Sequence, residues 1–194
     1  MAHVAVVGGG PAGLSAALFA AKNGLDVTVF DTDGTWMHKA HLFNYLGVDS
    51  IDGDAYVEIA REQATRFGAD LRQGEEVTAV GADGDLSVTT DDGEYDADYV
   101  VLATGAKRGL AEELGCAFTE EGAVDVDVTM ETSVDGVYAT GAMVRTEEWQ
   151  AVISAGDGAA AALNVLTREK GEHFHDFDTP ADADAALGTL VDEG

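Results

Sequence analysis

Apolar positions along this chain follow two rhythms, one of period two and one near 3.6. Residues 3–7 form a short β-branched run that predicts a strand, and residues 12–22 are helix formers that begin after Pro11 and end at Asn23-Gly24. Proline suits a first helical turn, where its missing N–H is no loss, and glycine suits the left-handed residue that stops a helix. Residues 25–30 alternate into a second strand with Asp31 at its end. Residues 54–67 turn Tyr56, Val57, Ala60 and Ala64 inward and Glu58, Arg61 and Arg66 outward, the period of an amphipathic helix. Short strands are predicted at 69–71, 76–80, 86–90 and 94–95, the last three separated by Ala82-Asp83-Gly84 and Asp91-Asp92-Gly93. Asp-Gly turns of this kind signal hairpins. Residues 99–103 and 136–139 are short and apolar, as in parallel strands buried on both faces. Residues 149–167 predict an Ala-rich helix. Residues 32–52 and 106–132 predict loops, the first too long for an idle connection.

The opening order is strand, glycine turn, helix, strand. Gly8-Gly9-Gly10-Pro11-Ala12-Gly13 fits G-x-G-x-x-G, and Asp31 closes the next strand 23 positions after Gly8. A glycine pattern alone is weak, but in this context it is the dinucleotide fingerprint. Gly8 permits the tight turn, Gly10 lets the backbone approach a pyrophosphate, and Gly13 and Ala17 let the helix pack close to the sheet. The free N–H groups of the helix start then hold the pyrophosphate, and Asp31 accepts hydrogen bonds from the adenosine ribose. The pattern does not decide between FAD and a nicotinamide nucleotide. The bland alternative is a strand-to-helix turn without a ligand.

Composition narrows the setting. The 194 residues include 10 Lys plus Arg against 37 Asp plus Glu, a formal charge of −27, with the acids spread along the chain. Such a surface repels phosphate, so nucleic acid and anionic membranes are excluded as partners. It also repels itself in dilute salt, whereas molar salt shrinks the screening length to about 3 Å. The balance points to a salt-loving cytoplasm, with an ordinary acidic cytosolic protein as the plainer reading. Cys116 is the only cysteine, so no intrachain disulfide forms. No signal peptide or membrane-length apolar run is visible, and a soluble, cytoplasmic protein is expected.

Five segments carry a resemblance to a known family. Residues 8–17, Gly8 to Ala17, look like the opening of the thioredoxin reductase family of pyridine nucleotide–disulfide oxidoreductases. Residues 63–69 resemble the helix before that family's third strand, and residues 101–106, with Thr104-Gly105, resemble its A-T-G turn. Residues 132–141 are similar to its last strand beside the flavin ribityl chain. Trp149-Gln150-Ala151 with Ser154-Ala155-Gly156 resembles the start of its final helix, which points at the flavin ring. Asn44 matches a flavin-contacting asparagine. The resemblance covers residues 3 to about 170 and implies an α/β, Rossmann-like FAD/NAD(P)-binding fold. That fold has a parallel sheet with helices on one face and a three-stranded β-meander on the other. Residues 1–170 would form the FAD-binding domain and 171–194 an acidic C-terminal tail, with a short helix at 183–191. The candidate cofactor contacts are Gly8, Gly10, Pro11, Ala12, Gly13, Asp31, Asn44, Val77, Thr104, Gly105, Gly141, Gln150 and Ala151; no catalytic residue or metal ligand is assigned.

Departures from the family shape the functional expectation. The family inserts a nicotinamide domain of over a hundred residues between the A-T-G turn and the last strand, and its redox-active C-x-x-C lies there. Here about 30 residues separate Gly105 from Gly136, with no second glycine fingerprint. Ala142 stands where the family has an acidic residue that binds a ribityl hydroxyl, which implies weakened FAD retention. Cys116, among Glu112, Glu113, Glu120 and Glu121, reads as a buried or idle thiol in preference to a nucleophile, its pKa raised by those charges. His38 and His41 either donate protons to reduced flavin or cap their loop. Trp36 and Trp149 either stack on the isoalloxazine or fill core. His173, His175, Asp176 and Asp178 read as tail in preference to metal ligands. The first expectation is a small FAD-binding oxidoreductase served by a redox partner protein or small molecule, with a homodimer open. A non-catalytic flavin-holding or docking module and an NAD(P)-binding domain of a complex are the alternatives.

Overall fold

A computed structural model of the chain describes residues 1–82, 84–179 and 182; the helix expected at 183–191 lies outside them. Five strands, β1 (His3–Val7), β2 (Asp26–Asp31), β5 (Asp70–Gln73), β9 (Tyr99–Leu102) and β10 (Val137–Ala139), form one sheet in the order β10-β9-β1-β2-β5. Every pairing in it is parallel. β1, β9 and β10 read as apolar runs because both their faces are covered, whereas the edge strand β5, Asp70-Leu71-Arg72-Gln73, is polar and mostly exposed. Val4, Val6, Val27, Val29, Val101 and Tyr138 point into a core shared with the helices α1 (Pro11–Lys22) and α4 (Ala151–Lys170). Their neighbours Ala5, Val7, Phe30, Val100, Leu102 and Ala139 point the other way, against a second core.

That second core is roofed by the antiparallel meander β6 (Val77–Gly81), β7 (Leu86–Thr90) and β8 (Glu94–Ala97). Leu86, Val88 and Ala97 supply its inward face. The chain runs outward from β1 through β2 and α2 (Gly53–Arg66) to β5, then returns to β9 on the other side of β1. This reversal opens a crevice at the carboxyl ends of β1 and its neighbours, where ligands bind in open α/β sheets.

Both stretches expected as loops hold short elements. Residues 32–52 contain a single 3₁₀ turn (Trp36–Lys39) and a small hairpin of β3 (His41–Leu42) and β4 (Ile51–Asp52). Met37 and Leu42 anchor them against Leu14 and Val57. Residues 106–132 contain α3 (Gly109–Glu113) and fold onto the second core through Ala111, Cys116 and Val124. The segment after α4 is tied back onto the body. Lys22 at the end of α1 donates to Asp176 at 2.7 Å and Asp178 at 2.5 Å. Among the described residues no helix is long and apolar enough to cross a membrane.

Candidate functional site

At the crevice lies a cavity of about 520 Å³. Eleven of the thirteen candidate contacts line it: Gly8, Gly10, Pro11, Ala12, Asp31, Val77, Thr104, Gly105, Gly141, Gln150 and Ala151. Gly13 lies behind the wall, and Asn44 stands outside, donating from its amide to Gln150 Oε1 at 2.9 Å. The glycine turn occupies the middle of the cavity. One arm runs over the end of β2 to Glu75, Glu76 and Val77; the other runs past Thr104 and Thr140 to Trp149 and Gln150 at the start of α4.

The three fingerprint glycines answer to different constraints. Gly8 has φ +114, and a Cβ there would sit 2.4 Å from the Ala103 carbonyl oxygen. A Cβ on Gly13 would lie 1.8 Å from the Gly8 carbonyl oxygen, so Gly13 closes the turn onto its own strand. Gly10 has an ordinary φ of −86 and a Cβ would meet only Thr35 Oγ1, at 3.3 Å. Nothing in the fold demands glycine at that position. The bareness faces the cavity, as it must where a phosphate approaches the backbone.

No side chain caps α1, whose N-cap is Gly10, nor α4, whose N-cap is Gln150. The first N–H groups of a helix have no intrahelical partner, and together with the helix dipole they favour an anion. Both helix starts open on the cavity. A diphosphate with adenosine over β2 and a larger group toward α4 therefore fits the residues present.

Asp31 is more constrained than its spacing suggests. Its side chain is nearly buried, Oδ1 accepts from the N–H of Gly9 at 3.2 Å and of Asp33 at 3.0 Å, and Oδ2 accepts from Arg61 at 2.6 Å. Arg61 also holds Asp33 at 2.5 Å. The expectation of an outward, solvated Arg61 is therefore corrected: its side chain is only 17% exposed and is spent on orienting Asp31. No local signal marked it, because its partners lie about 30 residues upstream. Glu75 was missed as well, because the residues that hold it lie 15 and 20 positions downstream. Its carboxylate accepts from the hydroxyls of Thr90 and Tyr95, both at 2.7 Å.

Other expectations resolve locally. Trp36 and Trp149 face each other with ring centroids 5.4 Å apart, 59% and 41% exposed, so they fill no core and stand at the cavity mouth. Neither His38 nor His41 lines the cavity. His38 is clamped between Asp54 at 2.5 Å and Asp33 at 2.9 Å, and those hydrogen bonds raise its pKa, Asp54 first. His41 bonds Ser50 and packs on Phe43. Cys116 is buried, and it is burial that pushes its thiol up; the neighbouring glutamates are not the cause. Among the described residues no group of three or more His, Cys, Asp or Glu could hold a metal, and Asp176 and Asp178 are engaged by Lys22.

The turn that carries Ala142 is braced from two sides. The Arg108 guanidinium donates to the carbonyls of Ala142, Met143 and Arg145 at 3.3, 2.9 and 2.9 Å. Arg145 in turn forms a two-pronged pair with Asp157 of α4, at 2.6 and 3.1 Å. Ala142 is buried and lines the cavity.

The family model described as pyridine nucleotide-disulphide oxidoreductase matches residues 2–52 and 50–159. The bifunctional thioredoxin reductase/thioredoxin of Mycobacterium leprae (strain TN) is 36% identical over 172 residues, covering 86% of this chain and 35% of that protein. The thioredoxin reductase of Mycolicibacterium smegmatis is 34% identical over 170 residues, covering 85% of this chain and 51% of that protein. This chain thus spans a third to a half of the length of those curated relatives. Among solved structures, a thioredoxin reductase from Gloeobacter violaceus superposes with a TM-score of 0.83 at 22% identity, covering 92% of this chain and 99% of that one.

Proposed function

The chain belongs to the pyridine nucleotide-disulphide oxidoreductase family, and from that premise we propose that it is an FAD-binding oxidoreductase that exchanges electrons with a separate redox partner. Thioredoxin reductase relatives are FAD-binding flavoproteins. The observation that carries the assignment in this chain is Gly10: a glycine the fold does not need, bare toward the cavity, at the uncapped start of α1.

FAD bound here would supply reversible one- and two-electron chemistry. The chain's own residues supply position and charge. The N–H groups at the start of α1 bind the pyrophosphate, and Asp31, oriented by Arg61, accepts from the adenosine ribose. The start of α4 favours negative charge at its end of the cavity. Trp36 and Trp149 limit water at the mouth. Arg108 and Arg145 hold the wall at Ala142 in place, where the resembled family has a carboxylate.

The electron route is the finer part of the proposal. The one cysteine is buried, so it neither pairs nor reacts as a thiolate. Residues 106–136 form a compact cover over the second core and contain no glycine fingerprint of their own. A nicotinamide site is therefore left to a partner. The partner is a redox protein or small molecule that reaches the cavity mouth. The burial of Cys116 also suits a second reading, a flavin-holding module with no turnover.

Purification in molar salt followed by visible spectroscopy tests the assignment. One FAD per chain with an oxidised-flavin spectrum is expected, and failure to take up FAD on reconstitution overturns it. Cycles of reduction and partner-dependent reoxidation separate the oxidoreductase from the inert module.

A further inference from the structure

The cavity mouth opens onto an apolar patch that continues beyond the cofactor site. Five of the nine large apolar side chains that stand exposed among the described residues, Trp36, Phe43, Leu46, Trp149 and Val152, belong to two adjoining segments. Trp36 and Trp149 face each other at the mouth, and Asn44 ties the loop of Phe43 and Leu46 to the start of α4 through Gln150. Val152 follows in the first turn of that helix. Phe43 is 74% and Leu46 93% exposed, so neither holds the fold together. On a chain with 37 acids, such a cluster marks an interaction site.

The edge of the patch selects the partner. Asp49 and Asp52 follow the loop, Glu147 and Glu148 precede Trp149, and all four are exposed. Lys39 is the one lysine in these segments, and the guanidinium of Arg145 is taken by Asp157. An apolar, aromatic centre inside a charged rim is the anatomy of a protein–protein interface. A second copy of the chain would set these acids against its own, and an anionic membrane would meet the same repulsion. A protein with lysines and arginines around an apolar centre complements the patch on both counts. Molar salt shortens the screening length to about 3 Å, so long-range steering fades while ion pairs in contact and apolar burial persist.

We propose that this patch docks the separate redox partner, and that the partner is a protein whose contact face has a basic rim around an apolar centre. The inference names the class of partner for the oxidoreductase reading above and rests on that reading.

Binding to the full-length chain in about 1 M salt tests it, read through the fluorescence of Trp36 and Trp149, the chain's two tryptophans, both at the mouth. The probes are cytochrome c, a small basic redox protein with an apolar haem edge, and an acidic ferredoxin of similar size. Cytochrome c is expected to bind at least roughly tenfold tighter than ferredoxin, and the double variant Phe43→Ser, Leu46→Ser to weaken it at least roughly tenfold. Both positions are exposed, so the variant should keep the wild-type circular dichroism spectrum. Val128→Ser and Phe177→Ser, at exposed apolar positions that do not line the cavity, should leave the affinity unchanged. Equal binding of the two probes, no binding of cytochrome c, or an unchanged affinity in the Phe43 and Leu46 variant overturns the proposal. So does a dimer of the chain alone that the same variant dissociates in sedimentation, because a second copy then covers the patch. FAD uptake is scored separately: a chain that binds no FAD sinks the oxidoreductase assignment, while the titration still decides the docking surface.

Discussion

Gly10 and His38 show how single residues here separate folding from function. Because Gly10 has an ordinary backbone and only Thr35 nearby, Gly10→Val should fold with the wild-type circular dichroism spectrum. Its side chain occupies pyrophosphate space, so FAD should no longer copurify. Stoichiometric FAD on that variant would place the cofactor elsewhere. The same substitution at Gly13 is a folding lesion, since its first carbon meets a carbonyl at 1.8 Å. His38 reports on pH. Both its ring nitrogens face carboxylates, so the charged form is favoured and its pKa stands above 6.5. A group whose pKa is raised by folding stabilises fully below its unfolded value and stops doing so as pH climbs through the folded value. Wild type should therefore lose thermal stability from about pH 6.5 upward relative to His38→Gln, with the gap closed at alkaline pH. Parallel melting curves at all pH values would show that the clamp contributes nothing. The roles of Gly8 and Gly13 were legible in the sequence because they are local. The Arg61–Asp31 contact was not, because it joins a helix face to a strand end about 30 residues away.

Between elements, α1 packs closely on α4, and glycine makes it possible. A Cβ on Gly158 would lie 2.0 Å from the Ala12 carbonyl oxygen, whereas one on Gly156, a half-turn away, would meet nothing within 4 Å. Gly158→Ala should thus push the helices apart and cost about 1–3 kcal/mol. Gly156→Ala should gain up to about 1 kcal/mol from helix propensity alone. Calorimetric melting should move in opposite directions for the two, and a shared sign would mean that the helices do not pack this tightly. The two glycines look alike in sequence, and only the docking partner distinguishes them. By contrast, β1, β9 and β10 were legible because burial on both faces writes an unbroken apolar run, and β2 was legible through its alternation. The meander was legible through its Asp-Gly turns, although β6 starts at Val77, one residue later than expected. The brace of Arg108 and Arg145 around Ala142 was invisible, since it is made mostly to backbone carbonyls, which no side-chain pattern announces.

Over the whole molecule, charge sets the conditions under which any of this operates. Lys and Arg side chains pair with eight carboxylates among the described residues, against 37 acids in the chain. The −27 that remains after all ten cations are counted is balanced only by counterions. Below about 0.1 M salt the screening length exceeds 10 Å and the carboxylates repel across the surface. Far-UV circular dichroism should show the fold lost on dialysis into salt-free buffer and regained in molar salt; full retention without salt would remove the halophilic reading. The same charge bears on the source of electrons. Direct hydride transfer needs a nicotinamide held about 3.5 Å from the flavin, and such positioning is worth roughly 7–11 kcal/mol of barrier. The α1 start is proposed to hold the FAD pyrophosphate, and residues 106–136 pack onto the second core without a glycine fingerprint of their own. A free anionic dinucleotide also meets a repulsive surface before it docks. NADH and NADPH at millimolar concentration should therefore bleach the bound flavin slowly in anaerobic stopped flow, with a fast rate only when a partner supplies a nicotinamide site. Reduction at tens per second by the isolated chain would mean that the cavity mouth beside Trp36 and Trp149 itself seats a nicotinamide.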